Sequence, residues 1–236
     1  MSISITNCFG IGYRCVTDKF MKGLNIRKYS SPFSYMICDL ETSIEFIINN
    51  FEDYLNVTSI LNYNDKFKYN NNKWYHHLFF NNKFKLEETD IEISSLKRIC
   101  VWNHHDLNNI EIINSIKRRY LHLLDADKLS NIIYIYIDNI QNYTSDNWED
   151  YFKKEIVLNF INMNMNRYIL LLLPLLNYNF NPTLYKINPN INVIFYESNT
   201  DDFINDYESP KIKWDLINKL VLENYSFSLT PLMHPE

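Results

Sequence analysis

Two runs constrain the fold most: Ile132–Ile137 (IIYIYI) and Tyr168–Leu173 (YILLLL) are apolar without alternation. A strand wetted on one face alternates polar and apolar residues, so runs like these belong to strands covered on both faces, as in a parallel sheet between two helical layers. Segments with helical spacing stand around them, at Ile110–Leu124, Trp148–Ile161 and Trp214–Glu223, and a further strand is expected at Ile191–Tyr196. Strands alternating with helices imply crossover connections. The expected fold is a three-layer α/β domain with a largely parallel central sheet.

The first hundred residues read less regularly. Ser2–Thr6 suits a strand that Asn7–Gly12 then breaks, followed by a helix over Tyr13–Lys22 stopped by Gly23 and a short strand at Ile26–Ser31. A helix over Thr42–Leu55 is expected from Ile44, Ile47, Ile48, Phe51 and Leu55, with Thr42 and Glu45 as a capping box. Residues 56–90 are polar, aromatic and irregular and read as a surface excursion or weak hairpin; Leu96–Trp102 reads as a buried strand of the sheet. With 3 glycines and 7 prolines in 236 residues and no linker-like stretch, one domain is expected over residues 1–236.

The formal net charge of -5 argues against a surface that coats duplex nucleic acid, and the one dense basic cluster is Lys117, Arg118 and Arg119. The longest apolar run, Ile169–Leu176, holds Pro174 and is far shorter than the roughly 20 residues that span a bilayer, so no membrane partner is expected. Met1–Asn7 lacks the basic and apolar regions of a secretory signal. The four scattered cysteines then read as reduced thiols of a cytoplasmic protein.

Ligands of parallel sheets collect at the carboxyl ends of the strands. That rule selects the loops Asn7–Gly12, Asn103–Asn109 and Asp138–Tyr143, which carry Cys8, then His104, His105 and Asp106, then Asp138 and Asn139. A thiol at the start of a helix meets unpaired backbone N–H groups and the positive end of the helix dipole, which favour the thiolate. Cys8 is therefore the candidate nucleophile, His105 or alternatively His104 the base, and Asp138 or Asn139 its orienting partner, with the backbone at Phe9 and Gly10 as an oxyanion hole. Cys38 and Cys100 read as small core residues. In a helix, neighbouring Arg118 and Arg119 diverge by about 100°, so one can face inward toward a carboxylate or phosphate while the other is solvated. No metal-ligand spacing or nucleotide fingerprint occurs, so neither metal nor cofactor is expected.

The stretch ITNCFGIGYRCVTDKFMKGLNIRKYSSPFSYM, followed by an amphipathic helix, WNHHDL, and KRRYLHLL leading into IIYIYID, resembles a family of unknown function described as papain-like cysteine peptidases, found in bacteria and large DNA viruses. The resemblance covers roughly residues 1–140. It implies a thiol nucleophile at Cys8, a Ser-x-Pro-Phe segment at Ser30–Phe33 that brings Ser31 toward substrate, the His-Asp motif at His105 and Asp106, and the paired arginines at Arg118 and Arg119. Ser34 stands where the family usually has Asp. It also implies a papain-like α+β arrangement as the alternative to the α/β reading. The abundance of Asn and Ile fits a giant-virus member acting in host cytoplasm.

A cysteine hydrolase or acyl-transfer enzyme acting on a peptide or small-molecule substrate is the reading these features favour. The first alternative is a glycan- or nucleotide-sugar-processing enzyme in which Arg118 or Arg119 holds a phosphorylated donor. The second is a binding module that uses the aromatic segment Tyr63–Phe84 as its contact surface.

Overall fold

The computed structural model describes residues 2–12, 16–34, 36–52, 54–55, 60–63, 74–80, 83–84, 99–102, 109–138, 154–176, 181–198 and 212–228. The chain runs β1 (Ile3–Ile5), β2 (Asn7–Gly10), α1 (Val16–Gly23), β3 (Met36–Cys38), α2 (Leu40–Ile48), β4 (Ile60–Tyr63), β5 (Trp74–Phe80), β6 (Lys83–Phe84), β7 (Ile99–Trp102), α3 (Ile110–Leu129), β8 (Ile132–Ile137), α4 (Glu155–Asn162), β9 (Arg167–Leu176), β10 (Thr183–Asn188), β11 (Ile191–Ser198), α5 (Trp214–Asn224) and β12 (Tyr225–Phe227).

The main sheet has the order β10-β11-β9-β8-β2. Its β11, β9, β8 and β2 are parallel, and β10 closes one edge antiparallel to β11. The unalternating apolar strands β8 and β9 lie at its centre, as double-sided burial requires. One face packs Phe9, Ile11, Tyr134, Tyr136, Ile169 and Leu171 against α2, α3 and α4; the other packs Cys8, Ile133, Ile135, Leu170 and Leu172 against α1 and α5. The fold is thus α/β with a central sheet flanked by helices, not a helix on an antiparallel barrel.

Several sequence expectations are corrected. Asn7–Gly12 is no break, because Asn7–Gly10 forms β2, the edge strand, and Ile11 continues the pairing through its N–H to Ile135 O at 2.9 Å. The expected strand at Ser2–Thr6 is β1, which pairs with β12 outside the main sheet. Ile26–Ser31 is not a strand: it carries the chain over the β2 edge, from Ile26 in one core layer to Phe33 in the other. The cap of α2 is Asp39, which accepts from the N–H and hydroxyl of Thr42, and the helix ends at Ile48 because Asn50 and Phe51 take positive φ. On α3, Ile110 and Leu121 are exposed, and the buried apolar stripe is Ile116, Leu123, Leu124 and Ala126.

β7 is not a strand of the main sheet. It lies in a second, antiparallel sheet of order β3-β7-β5-β4, where Cys38 stands directly opposite Cys100. The loop after it, Asn103–Asn109, therefore does not leave the main parallel sheet.

Candidate active site

The connections leaving β2 and β8 go to opposite faces: α1 packs on one layer, and α4, the next described helix after β8, packs on the other. Adjacent parallel strands whose connections part in this way open a crevice at their carboxyl ends. At that end stand Gly12 after β2, Thr17 and Asp18 in the first turn of α1, and Asp138 after β8.

Gly12 is fixed by close approach. A Cβ there would overlap the Thr17 hydroxyl and stand 2.7 Å from the backbone nitrogen of Ile137. At Gly10 a Cβ would come within 2.9 Å of Thr17 Cγ2, so both glycines let α1 sit down on the strand. Asp138 follows β8 with no exposed surface, its N–H bonded to Leu172 O at 3.2 Å.

Behind the start of α1, Asp18 is tied to the strap that crosses the sheet edge. Its Oδ1 accepts from Arg27 Nε and from the Ser34 hydroxyl, both at 3.1 Å, while Arg27 Nη2 donates to Ser30 Oγ at 2.6 Å. Asp18 Oδ2 and Thr17 Oγ1 are buried without hydrogen-bond partners among the described residues. A buried polar atom left unpaired costs about 1–3 kcal/mol, which marks this corner as polar beyond what the fold needs. Sequence reasoning missed Thr17, Asp18 and Arg27, because one carboxylate in a first helical turn reads by default as a cap. The only signal was the Gly-x-Gly spacing just before it.

Cys8 is not at this edge. It stands inside β2 opposite Ile133, 6 % exposed, among Val16, Phe20 and Ile135. Asp138 lies five residues beyond Ile133, which is about 16 Å along the sheet. Burial drives the Cys8 thiol far above its ordinary range, the opposite of the activation a helix start would provide. Cys8 and Asp138 thus cannot share one catalytic group in this arrangement. Phe9 and Gly10 are buried strand residues, Phe9 in the core and Gly10 beneath Thr17 and Met21, so neither borders the crevice.

Of the other expected residues, Ser31 is buried, and its Oγ accepts the Phe33 N–H at 3.1 Å, which holds the turn of the Ser-x-Pro-Phe segment. Ser34, standing where an Asp was expected, donates its hydroxyl to Asp18. Arg118 is exposed and Arg119 half-buried on α3. His104, His105, Asp106 and Asn139 lie outside the described residues, as does Cys15. Among the described residues, no group of three or more His, Cys, Asp or Glu side chains could hold a metal ion, and no helix is long and apolar enough to cross a membrane.

A family model described as "Putative papain-like cysteine peptidase" matches residues 6–169, more than half of the chain. The chain belongs to this family. The match runs from just before β2 into β9 and so takes in the whole border of the crevice. No curated protein and no solved structure matches.

Proposed function

We propose that the protein is a cysteine-nucleophile hydrolase or acyl-transfer enzyme whose reaction takes place in the crevice between the carboxyl ends of β2 and β8. One observation carries this reading: the crevice opens at the start of α1, and the residue that precedes Val16 in the sequence is Cys15. A helix start favours the thiolate and the interior of a strand does not, which supports Cys15 over Cys8 as the nucleophile. Membership of the papain-like cysteine peptidase family supports the reaction class.

In this reading the Cys15 sulfur attacks a substrate carbonyl and its proton passes to His105. The imidazolium returns that proton to the leaving group, and water then releases the acyl group. Asp138, desolvated at the end of β8, is the carboxylate suited to orient the imidazole. The substrate is a peptide or another small acyl compound.

Labelling with a peptidyl vinyl sulfone, located by mass spectrometry of digests, tests the assignment. Cys15→Ala abolishes labelling, Cys8→Ala retains it, and His105→Ala slows it at neutral pH. Labelling that follows Cys8, or a Cys15 thiol that titrates near about 8.5 and ignores His105→Ala, rules the reading out.

A further inference from the structure

Two of the described arginines are paired where the fold needs them. Arg27 meets Asp18 at 3.1 Å and Arg167 meets Asp127 at 2.5 Å. Arg118 and Arg119 differ: among the described residues no carboxylate or hydrogen-bond acceptor pairs with either, although the chain carries 28 acidic residues against 23 basic ones. Arg119 stands on the inward stripe of α3, three residues after buried Ile116 and four before buried Leu123, and its Nε is buried without a partner. Burying part of a guanidinium unpaired is costly, and an arriving anion removes that cost.

The surroundings suit an anion. Arg118 and His122 are four apart and Arg119 and His122 three apart, so His122 lies between the two diverging arginines and within reach of both. The His122 ring meets Tyr29, 6.3 Å between centroids, and Lys28 Nζ lies 5.9 Å from that tyrosine ring. The strap that carries Arg27 to Ser31 across the sheet edge thus brings its own positive charge to this part of α3.

The site also stands level with the crevice. The two residues Ser130 and Asn131 join α3 to β8, and the Tyr134 hydroxyl of β8 reaches back to Asp127 of α3 at 2.8 Å, so the helix runs back along the strand. Arg119 is ten residues before Leu129, or about 15 Å of helix, which matches the roughly 16 Å rise of β8 from Ile132 to Ile137. Helical side chains lean toward the N-terminus, here toward the carboxyl ends of the strands. From the unpaired guanidinium pair and this placement we infer that Arg119, with Arg118 and His122, is an oxyanion subsite that receives a phosphoryl or carboxylate group of the substrate. The assignment to substrate rests on the proposed reaction in the crevice; the anion site itself does not.

Thermal unfolding of the full chain in inorganic phosphate, acetate and chloride at matched ionic strength tests it. Phosphate or acetate raises the unfolding temperature of the wild type by several degrees over chloride. The rise disappears in Arg119→Gln, shrinks in Arg118→Gln, and persists in Lys219→Gln on α5. A phosphate preference identifies a phosphorylated substrate, and an equal or greater acetate response a carboxylate one. If Arg119→Gln does not fold, Arg118→Gln and His122→Gln decide, each weakening the apparent anion affinity several-fold. Equal response in wild type and arginine variants, or none above chloride, overturns the inference. Running the same titration on Cys15→Ala separates the two readings, because an anion site survives that change whether or not Cys15 is the nucleophile.

Discussion

The two ends of the main sheet solve the same problem in different ways. At the amino ends of the strands, Arg167 opens β9 and donates from Nε and Nη2 to the two oxygens of Asp127, at 2.7 and 2.5 Å, and from Nη1 to Phe160 O at 2.7 Å. The Tyr134 hydroxyl adds a bond to Asp127 Oδ1 at 2.8 Å, and Asn190 donates to the carbonyls of Met165 and Arg167. Fork-to-fork pairing of this kind fixes geometry, and the guanidinium also lies 4.2 Å from the Phe160 ring. At the carboxyl ends, Gly12 leaves no room for a side chain, and Thr17 Oγ1 and Asp18 Oδ2 are buried without partners among the described residues. One end is satisfied and holds the fold; the other keeps polar atoms unsatisfied, as functional sites do.

Removing one partner from the satisfied end gives the largest effect. Arg167→Leu leaves Asp127 desolvated and unpaired, and loss of one member of a buried pair costs about 3–5 kcal/mol. Urea denaturation of this variant should show a loss of that size. A loss below about 1 kcal/mol would mean that this network is surface-like and that the two ends do not differ as described.

Next in size is Gly12→Ala at the open end. The added methyl meets backbone at Ile137 as well as the Thr17 side chain, so α1 must lift from the strand, at a cost of about 1–3 kcal/mol. Gly10→Ala meets only the side chains of Thr17 and Met21, and Met can yield, so it should cost less. Paired denaturation curves check this order. Vinyl sulfone labelling should fall further in Gly12→Ala than its unfolded fraction explains.

Cys8 belongs to the satisfied half of the sheet, and alkaline stability tests that placement. Its folded thiol titrates far above the unfolded value of about 8.5 because burial disfavours the thiolate. The unfolded chain then releases this proton first, so stability is intact below about pH 8.5 and declines as pH rises toward the folded value, by up to about 1.4 kcal/mol per pH unit for this one group. Tyr134 and Tyr225, also raised by burial, add to the decline above about pH 10. Cys8→Val should make the decline shallower in denaturation curves taken from pH 8 to 10. An unchanged slope would mean that Cys8 ionises in the folded protein, as a nucleophile at the open end would.

How much of this the sequence disclosed depends on which signal each element carries. Ile132–Ile137 was legible to the residue, because burial on both faces abolishes alternation and leaves an unambiguous run. β2 was hidden by two glycines: Gly10 within it and Gly12 just after it read as breakers, whereas they are the positions where α1 touches the sheet. That one misreading ended the strand before Cys8 and made Cys8 the thiol at the entry to the helix. β7 looks like a central strand by composition, and only its partners, β3 and β5, reveal that it belongs to another sheet. The divergence of Arg118 and Arg119 followed from helix geometry alone. The role of Asp18 did not, since it depends on a strap residue nine positions away.

The smallest expected effect is the most direct probe of the difference between the two ends. Thr17 is 3 % exposed, and its hydroxyl oxygen has no hydrogen-bond partner among the described residues. Thr17→Val keeps the shape against Gly10 and Gly12 and removes the polar atom. At a site where the hydroxyl serves the fold, this change costs about 1 kcal/mol; where the hydroxyl is unsatisfied, it stabilises by a similar amount. We expect stabilisation in urea denaturation together with slower vinyl sulfone labelling, a stability–activity trade that a purely structural threonine does not give. Stabilisation without any change in labelling would separate the unsatisfied corner from the reaction. Destabilisation would show that the hydroxyl is bonded and that this end of the sheet is as satisfied as the other.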